Sequence, residues 1–392
     1  MQDNTGRPLG TALYSSASQI ALRFVSRTPA LSREQYIADL RTRVAHAIAT
    51  RKRTAPMSAE AGHETNAQRL IFSEADNLPG IIADRYNDLI IMQLLIQGTA
   101  QDDVRSALAE VLSTELAFSG NQLTVWERPD PRIRELEQLA PPPETPLFAT
   151  LAQPATTTTF TLNGLHFGYD ASAGQKTGAF LDQRLNYAAA EHWVRQSGLT
   201  GHALDVCTYQ GGFALHLARA CQRVTGVDQS RSALETADRN RERNQQHLRA
   251  EVDWIEADAF ELLRALDEAA RASSTPKRSQ TALSGLPTHF DAIVLDPPAF
   301  AKSRRAAEGA LRGYKELNLR AMRLLAPGGT LITCSCSHHV SLQDFTTALT
   351  EAASDAGRRV QLLETRAASP DHPEILTLPE TRYLKCLICR VD

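Results

Sequence analysis

The sequence predicts an α/β fold, an open strand–helix sheet over residues 166–392 preceded by a smaller mixed α+β region. Three observations carry this. The run Ala203-Leu-Asp-Val-Cys207 is apolar, breaks at a polar turn containing Gly211 and Gly212, and resumes from Phe213 with helical period, which reads as strand, glycine loop, helix. Later apolar runs each close on a carboxylate, at Asp228, Asp258 and Asp296. From Gln68 onward, short β-rich runs alternate with turn residues.

Taken in order, residues 1–27 read as two alternating β segments, and two strands alone need a partner surface. Residues 28–67 supply a helix and a linker. Ser32 is the expected N-cap, and Tyr36, Ile37, Leu40, Val44, Ala47 and Ile48 share one face, with Arg41, Arg43, Arg51 and Arg53 expected on a solvated one. Residues 68–165 form a β-rich region with turns at Asn77–Gly80 and Asn87–Asp88, a helix near 100–113 and a strand at Leu123–Glu127. The Thr156–Thr159 run is expected to be a spacer, and Asn163-Gly164 the turn of a hairpin. The breaker-rich stretch 272–287 reads as a surface insertion.

Composition fits a globular protein of two or three domains: 392 residues, 42% hydrophobic, 22% charged, net charge −3. That charge argues against a broadly basic coat for nucleic acid but leaves room for a local basic patch. Nothing resembling a signal peptide opens the chain and no apolar run has the length of a membrane span, so the expected location is cytoplasmic, with no membrane partner. Six scattered cysteines are expected to be reduced. Cys334-x-Cys336-x-His338-His339 lacks the spaced ligand pairs of a structural metal site, and Cys386-Leu-Ile-Cys389 lies in an alternating strand that points its two thiols to opposite faces, so no metal is expected. The dinucleotide pattern G-x-G-x-x-G is absent from the loop after Asp205.

The glycine loop followed by Val224-Thr-Gly-Val-Asp228 resembles the class I S-adenosylmethionine-dependent methyltransferases. Gly174-Gln-Lys-Thr-Gly-Ala-Phe-Leu-Asp-Gln-Arg184 and the 68–93 region resemble, more narrowly, a group of bacterial 23S ribosomal RNA cytosine-C5 methyltransferases that open with a PUA domain, of which residues 1–27 would be a remnant. The resemblance implies S-adenosyl-L-methionine as cofactor and RNA, 23S ribosomal RNA, as partner; the oligomeric state stays open between monomer and homodimer. The cofactor set is Asp205, Thr208, Tyr209, Gly211, Gly212 and Phe213 in the loop, Asp228 for the ribose, Asp258 beside the adenine, and Asp296. Lys176, Thr177, Gln183 and Arg184 join it by resemblance alone, and His372 is placed by the site on the same ground.

Asp296-Pro-Pro is a stiff loop that can hold a planar base, since consecutive prolines fix the backbone. Such a loop alone would suit methylation of an amino group. A strand-end cysteine changes the chemistry, because carbon 5 of a pyrimidine becomes nucleophilic once a thiolate has added to carbon 6. In similar enzymes the nucleophile follows Ser or Thr at this position, which selects Cys336 over Cys334. Cys336 and Asp296 are therefore the expected catalytic pair. Pro297, Pro298, Phe300, Lys302, Arg304 and Arg305 are expected to meet the substrate, with Arg312, Tyr314, Lys315 and Arg320 extending the basic stretch. The alternatives are RNA guanine-N2 or uracil-C5 methylation, or a ribosome-binding factor without catalysis. The group that removes the carbon-5 proton is not identified, since Ala299 follows Pro298 where many such enzymes carry a second cysteine.

Overall fold

A computed structural model of the chain describes residues 1–54, 64–116, 122–128, 130–172, 179–272, 285–301 and 304–392. Two compact units result, Met1–Leu181 with Pro370–Leu378, and Asp182–Ser369 with Pro379–Asp392. Among the described residues no helix is long and apolar enough to cross a membrane.

In the first unit, β1 (Thr11–Tyr14) and β2 (Leu22–Ser26) form an antiparallel pair. Helix α1 (Arg33–Thr54) starts where Ser32 Oγ accepts the Gln35 N–H at 3.2 Å and Gln35 Oε1 accepts the Ser32 N–H at 2.9 Å, a reciprocal cap. The six apolar positions expected on one face are all buried. The opposite face is less simply solvated than its arginines suggested: Arg51 is buried and makes paired hydrogen bonds to Asp76 at 3.0 and 2.6 Å, while Arg41 meets Glu110.

The five-stranded sheet runs β3 (Ala67–Phe72), β4 (Ile81–Tyr86), β5 (Leu89–Leu94), α2 (Asp102–Leu116), β6 (Thr124–Glu127), α3 (Pro131–Glu137) and β7 (Phe148–Ala149) in chain order, with strands in the order β3-β4-β5-β6-β7. α1 and α2 share its apolar core. The hairpin β8 (Thr157–Leu162) and β9 (Leu165–Asp170) turns at Asn163 and Gly164 with φ of 50° and 78°, the left-handed pair that a tight two-residue hairpin needs. The threonine run is part of β8 rather than a spacer, because β-branched side chains suit a pleated surface.

The second unit follows as α4 (Arg184–Ser197), β10 (His202–Val206), α5 (Gly212–Leu217), β11 (Arg223–Asp228), α6 (Arg231–Arg243), β12 (Glu251–Glu256), α7 (Ala259–Ala272), β13 (Phe290–Leu295), α8 (Ala307–Leu324), β14 (Leu325–Ser335), α9 (Leu342–Ala356), β15 (Val360–Arg366) and β16 (Lys385–Val391). Its sheet has the order β12-β11-β10-β13-β14-β16-β15, with β16 antiparallel to both neighbours and the other adjacent pairs parallel. Strand order reverses between β10 and β13, which leaves a crevice beyond their carboxyl ends. Apolar residues of these strands, α7, α8 and α9 make one continuous core beneath it.

Candidate active site

The glycine loop sits at that crevice. Asp205 is fully buried at the end of β10, and its Oδ2 accepts the Thr208 hydroxyl at 2.5 Å and the Ala214 N–H at 2.8 Å. Oδ1 has no hydrogen-bond partner among the described residues. Burial pushes this carboxyl up to about 7, against the two hydrogen bonds and with Asp228 adding to the rise. Asp228, at the end of β11, accepts the Tyr209 N–H at 2.9 Å on one oxygen and the Ser230 N–H at 2.9 Å on the other. The loop between them is unusual in its backbone, with Cys207, Tyr209 and Gly211 at φ of 66°, 52° and 85°.

The two glycines owe their identity to packing behind the loop. A Cβ on Gly212 would lie 2.5 Å from Tyr187 Cζ, and one on Gly211 would lie 3.1 Å from Trp254. Tyr187 is buried on α4 and stands edge-on to Phe213, ring centroids 4.7 Å apart. Thr208 and Phe213 are buried, as is Arg184 at the start of α4. Asp258 does not end a strand: β12 stops at Glu256, and Asp258 is exposed at the head of α7, where its Oδ1 accepts the N–H groups of Phe260 and Glu261 at 2.9 and 3.0 Å. Lys176, Thr177 and Lys302 lie outside the described residues.

Asp296 follows β13 directly. Gln183 Nε2 donates to both of its oxygens at 3.0 Å, and Gln183 Oε1 in turn accepts from Asn186 Nδ2 at 2.6 Å, so the carboxyl is held in a fixed plane. Burial first, then the charges of Asp182 and Asp205, push Asp296 up to about 8 although the Gln183 hydrogen bonds oppose this. Cys336 lies just past β14, with its thiol 3.9 Å from the Pro297 carbonyl, facing the Asp-Pro-Pro loop. Burial, with Asp296 and Asp182 adding, pushes the thiol up to about 12, and Lys385 pulls it the other way. Cys334, the other candidate, is fully buried within β14 and aligned with Cys386 of β16.

Pro297 is buried and Pro298 exposed, while the Phe300 ring packs on Tyr314 at 4.8 Å. Arg305 is exposed, next to Arg304 in a single 3₁₀ turn. The rest of the expected basic stretch is otherwise engaged: Arg312 pairs with Glu308, Lys315 with Glu351 and Asp355, and Arg320 with Asp267 and Glu316, and Tyr314 is buried. α8 makes this a self-neutralised face rather than an open phosphate track. His372 belongs to the first unit, where it is buried beside Asp371 and edge-on to Phe72.

No role for Asn186, Tyr187, Tyr383 or Lys385 is legible from the sequence. Tyr383 donates its hydroxyl to Asp182 Oδ2 at 2.6 Å. Only strand pairing brings residues 383–385 to the cysteine, and one chain's pattern carries no signal of that pairing.

The crevice thus offers carboxyl acceptors: an oxygen of Asp205 with no donor among the described residues, a second carboxyl at Asp228, and a third at Asp296. A sulfonium ligand bearing an amino-acid ammonium suits such a set. The model of the S-adenosylmethionine-dependent methyltransferases matches residues 146–390. A ribosomal RNA large subunit methyltransferase I of Pseudoalteromonas translucida is 34% identical over 100% of this chain and 89% of its own length. One of the same name from Shewanella amazonensis is 35% identical over 98% and 88%. The crystal structure of SMU.776 complexed with SAH superposes at a TM-score of 0.74 over 99% of this chain and 89% of its own, at 18% identity, a likeness of fold alone. The chain accordingly belongs to the class I S-adenosylmethionine-dependent methyltransferase family, in the group that contains the ribosomal RNA large subunit methyltransferases I.

Proposed function

We propose that the protein methylates carbon 5 of a cytosine in large-subunit (23S) ribosomal RNA, in the cytoplasm, with Cys336 as nucleophile and Asp296 as the group that engages the base. The observation that carries this is the placement of the Cys336 thiol 3.9 Å from the Pro297 carbonyl, across from the carboxyl that precedes it. A base lying on the Pro297–Pro298 loop would then meet a thiol and a carboxyl together. The RNA substrate is taken from the names of the relatives.

The loop residues Asp205, Thr208, Tyr209, Gly211, Gly212 and Phe213, with Asp228, Gln183, Arg184 and Asp296 around them, would hold S-adenosylmethionine. Bound there, it supplies the methyl group that carbon 5 accepts. The protein's own part begins when Cys336 gives up its proton and its sulfur bonds to carbon 6 of the ring, which places electron density at carbon 5. Asp296, pushed up to about 8, is protonated near neutral pH, so it can donate to ring N3 and take up the charge that develops there. N3 then returns its proton to Asp296, the carbon-5 proton passes to solvent water, and the electron pair of that broken bond expels sulfur from carbon 6, which restores the aromatic ring and the thiolate. Pro298, Phe300 and Arg305, with Lys302 and Arg304, would border the base and its phosphates. Such a base must leave its stack to reach the thiol.

The test is methyl transfer to unmodified large-subunit ribosomal RNA, read as modified nucleosides by mass spectrometry. Wild type is expected to form 5-methylcytidine, and Cys336→Ala to lose on the order of 10³-fold or more. Persistence of the product in Cys336→Ala, or its appearance as a methylated guanine, would overturn the mechanism.

A further inference from the structure

Lys385 is the first residue of β16, and its partner in the ladder is Ser335, one residue before the thiol. Its side chain is 6% exposed. A buried ammonium ordinarily meets a carboxylate. This one instead donates to two carbonyl oxygens, of Ser337 at 2.7 Å and of Tyr383 at 2.8 Å. An ammonium has three donors, so one is left without such an acceptor among the described residues.

The Ser337 carbonyl follows Cys336 directly, and Ser337 is fixed from its other side as well. Its hydroxyl lies 2.9 Å from the Tyr314 hydroxyl and accepts the Ala301 N–H at 3.3 Å. Lys385 therefore completes a clamp on the residue next to the thiol, between β16, α8 and the loop beyond Pro298. The charged and titratable groups facing Cys336 are Asp296 after β13, Asp182 before α4, Lys385 on β16 and the Tyr314 hydroxyl on α8. In the same turn His338 lies against the Tyr383 ring, flanked by His339 and Glu380. Asp182 opposes a thiolate, and Asp296 does so once it is ionised. Lys385 is the cation among them.

We propose that Lys385 is a positioning residue for Cys336: it pins the backbone that follows the thiol and supplies the buried positive charge that favours thiolate over thiol against Asp182. The role rests on reading Cys336 as the nucleophile, but its physical content is a coupling between an ammonium and a thiol that exists without substrate. Burial lowers Lys385 to about 8, and Cys336 acts in the opposite direction on it, so the interaction is felt at both ends. A methionine at 385 would keep most of the volume and remove the charge; an arginine would keep the charge.

The experiment measures iodoacetamide alkylation of Cys336 against pH in the full-length protein, followed by mass spectrometry of the Cys336 peptide. With Lys385→Met alkylation should be roughly tenfold slower at a fixed pH below about 8, where Lys385 still carries its proton. Lys385→Arg should stay closer to wild type. Coincident profiles for wild type and Lys385→Met, in protein that still binds S-adenosylmethionine, would overturn the proposal. Should Lys385→Met not fold, wild type decides: Lys385 loses its charge near pH 8, so the rise of Cys336 alkylation with pH should flatten as pH passes through that value, and a rise with no such break rejects the role. Failure of Cys336 as nucleophile shows separately, as methylation surviving in Cys336→Ala.

Discussion

Gly212 cannot gain a side chain without moving Tyr187. An added Cβ would sit 2.5 Å from Cζ and 2.7 Å from the hydroxyl oxygen of a ring that is buried, and neither the ring nor the α4 backbone behind it has free space to move into. Gly212→Ala is expected to destabilise by about 1–3 kcal/mol, the usual cost of overpacking, and to weaken S-adenosylmethionine binding, because Tyr187 also supports Phe213. Thermal unfolding and calorimetric titration read the two effects separately; an unchanged melting temperature would contradict the packing argument. At this scale the sequence marks residues by local pattern but not the packing behind them. Gly211, Gly212 and Asp205 are legible from the strand-loop-helix pattern. The pressure on the glycines comes from Trp254 and Tyr187, whose places depend on tertiary packing.

Helix α7 begins on Asp258, whose Oδ1 accepts two N–H groups of the first turn. Its loss should therefore cost stability whether or not it meets a ligand. Asp258→Ala is expected to lose about 0.5–2 kcal/mol in urea unfolding while Asp258→Asn loses little, since the asparagine oxygen can still cap. If Asp258→Asn also leaves S-adenosylmethionine affinity unchanged, its place in the cofactor set falls. The elements were read well where a pattern is local: α1, the hairpin at Asn163–Gly164 and the alternating strand near the chain's end all follow from periodicity and turn chemistry. What could not be read is which strands lie side by side. The antiparallel place of β16 between β14 and β15 brings Lys385 to Cys336 across a wide sequence gap. The pairing of α8 cations with carboxylates on α7 and α9 likewise needed the packed helices to be seen.

For the molecule as a whole, the carboxyls of the crevice set a pH dependence. Asp205 and Asp296 are raised from 3.8 to about 7 and about 8 in the folded chain, so the folded state holds protons that the unfolded chain has released. Their contribution to stability is fully present below the unfolded value and is lost as pH rises through the folded values. Without ligand, wild type should become less stable from pH 4 to 8, and Asp296→Asn should show a shallower decline, as followed by urea unfolding. Parallel slopes in the two proteins would contradict the assignment. A cationic ligand should stabilise most at the upper end of that range, where the carboxylates are ionised. The broad architecture was legible because strand–helix alternation and strand-end carboxylates are long-wavelength features of a sequence. The interleaving of the units was not: Pro370–Leu378 falls with the first unit while both flanks fall with the second, and Asp371 accepts the Arg69 N–H there at 2.8 Å. The position of β16 also orders events in time. Translation delivers β10, β11, β12, β13 and β14 well before it delivers β16, and among the described residues β15 pairs with β16 alone. A nascent chain can lay down the glycine loop after β10 while the turn that holds Cys336 is still without β16, so this end of the sheet is assembled last.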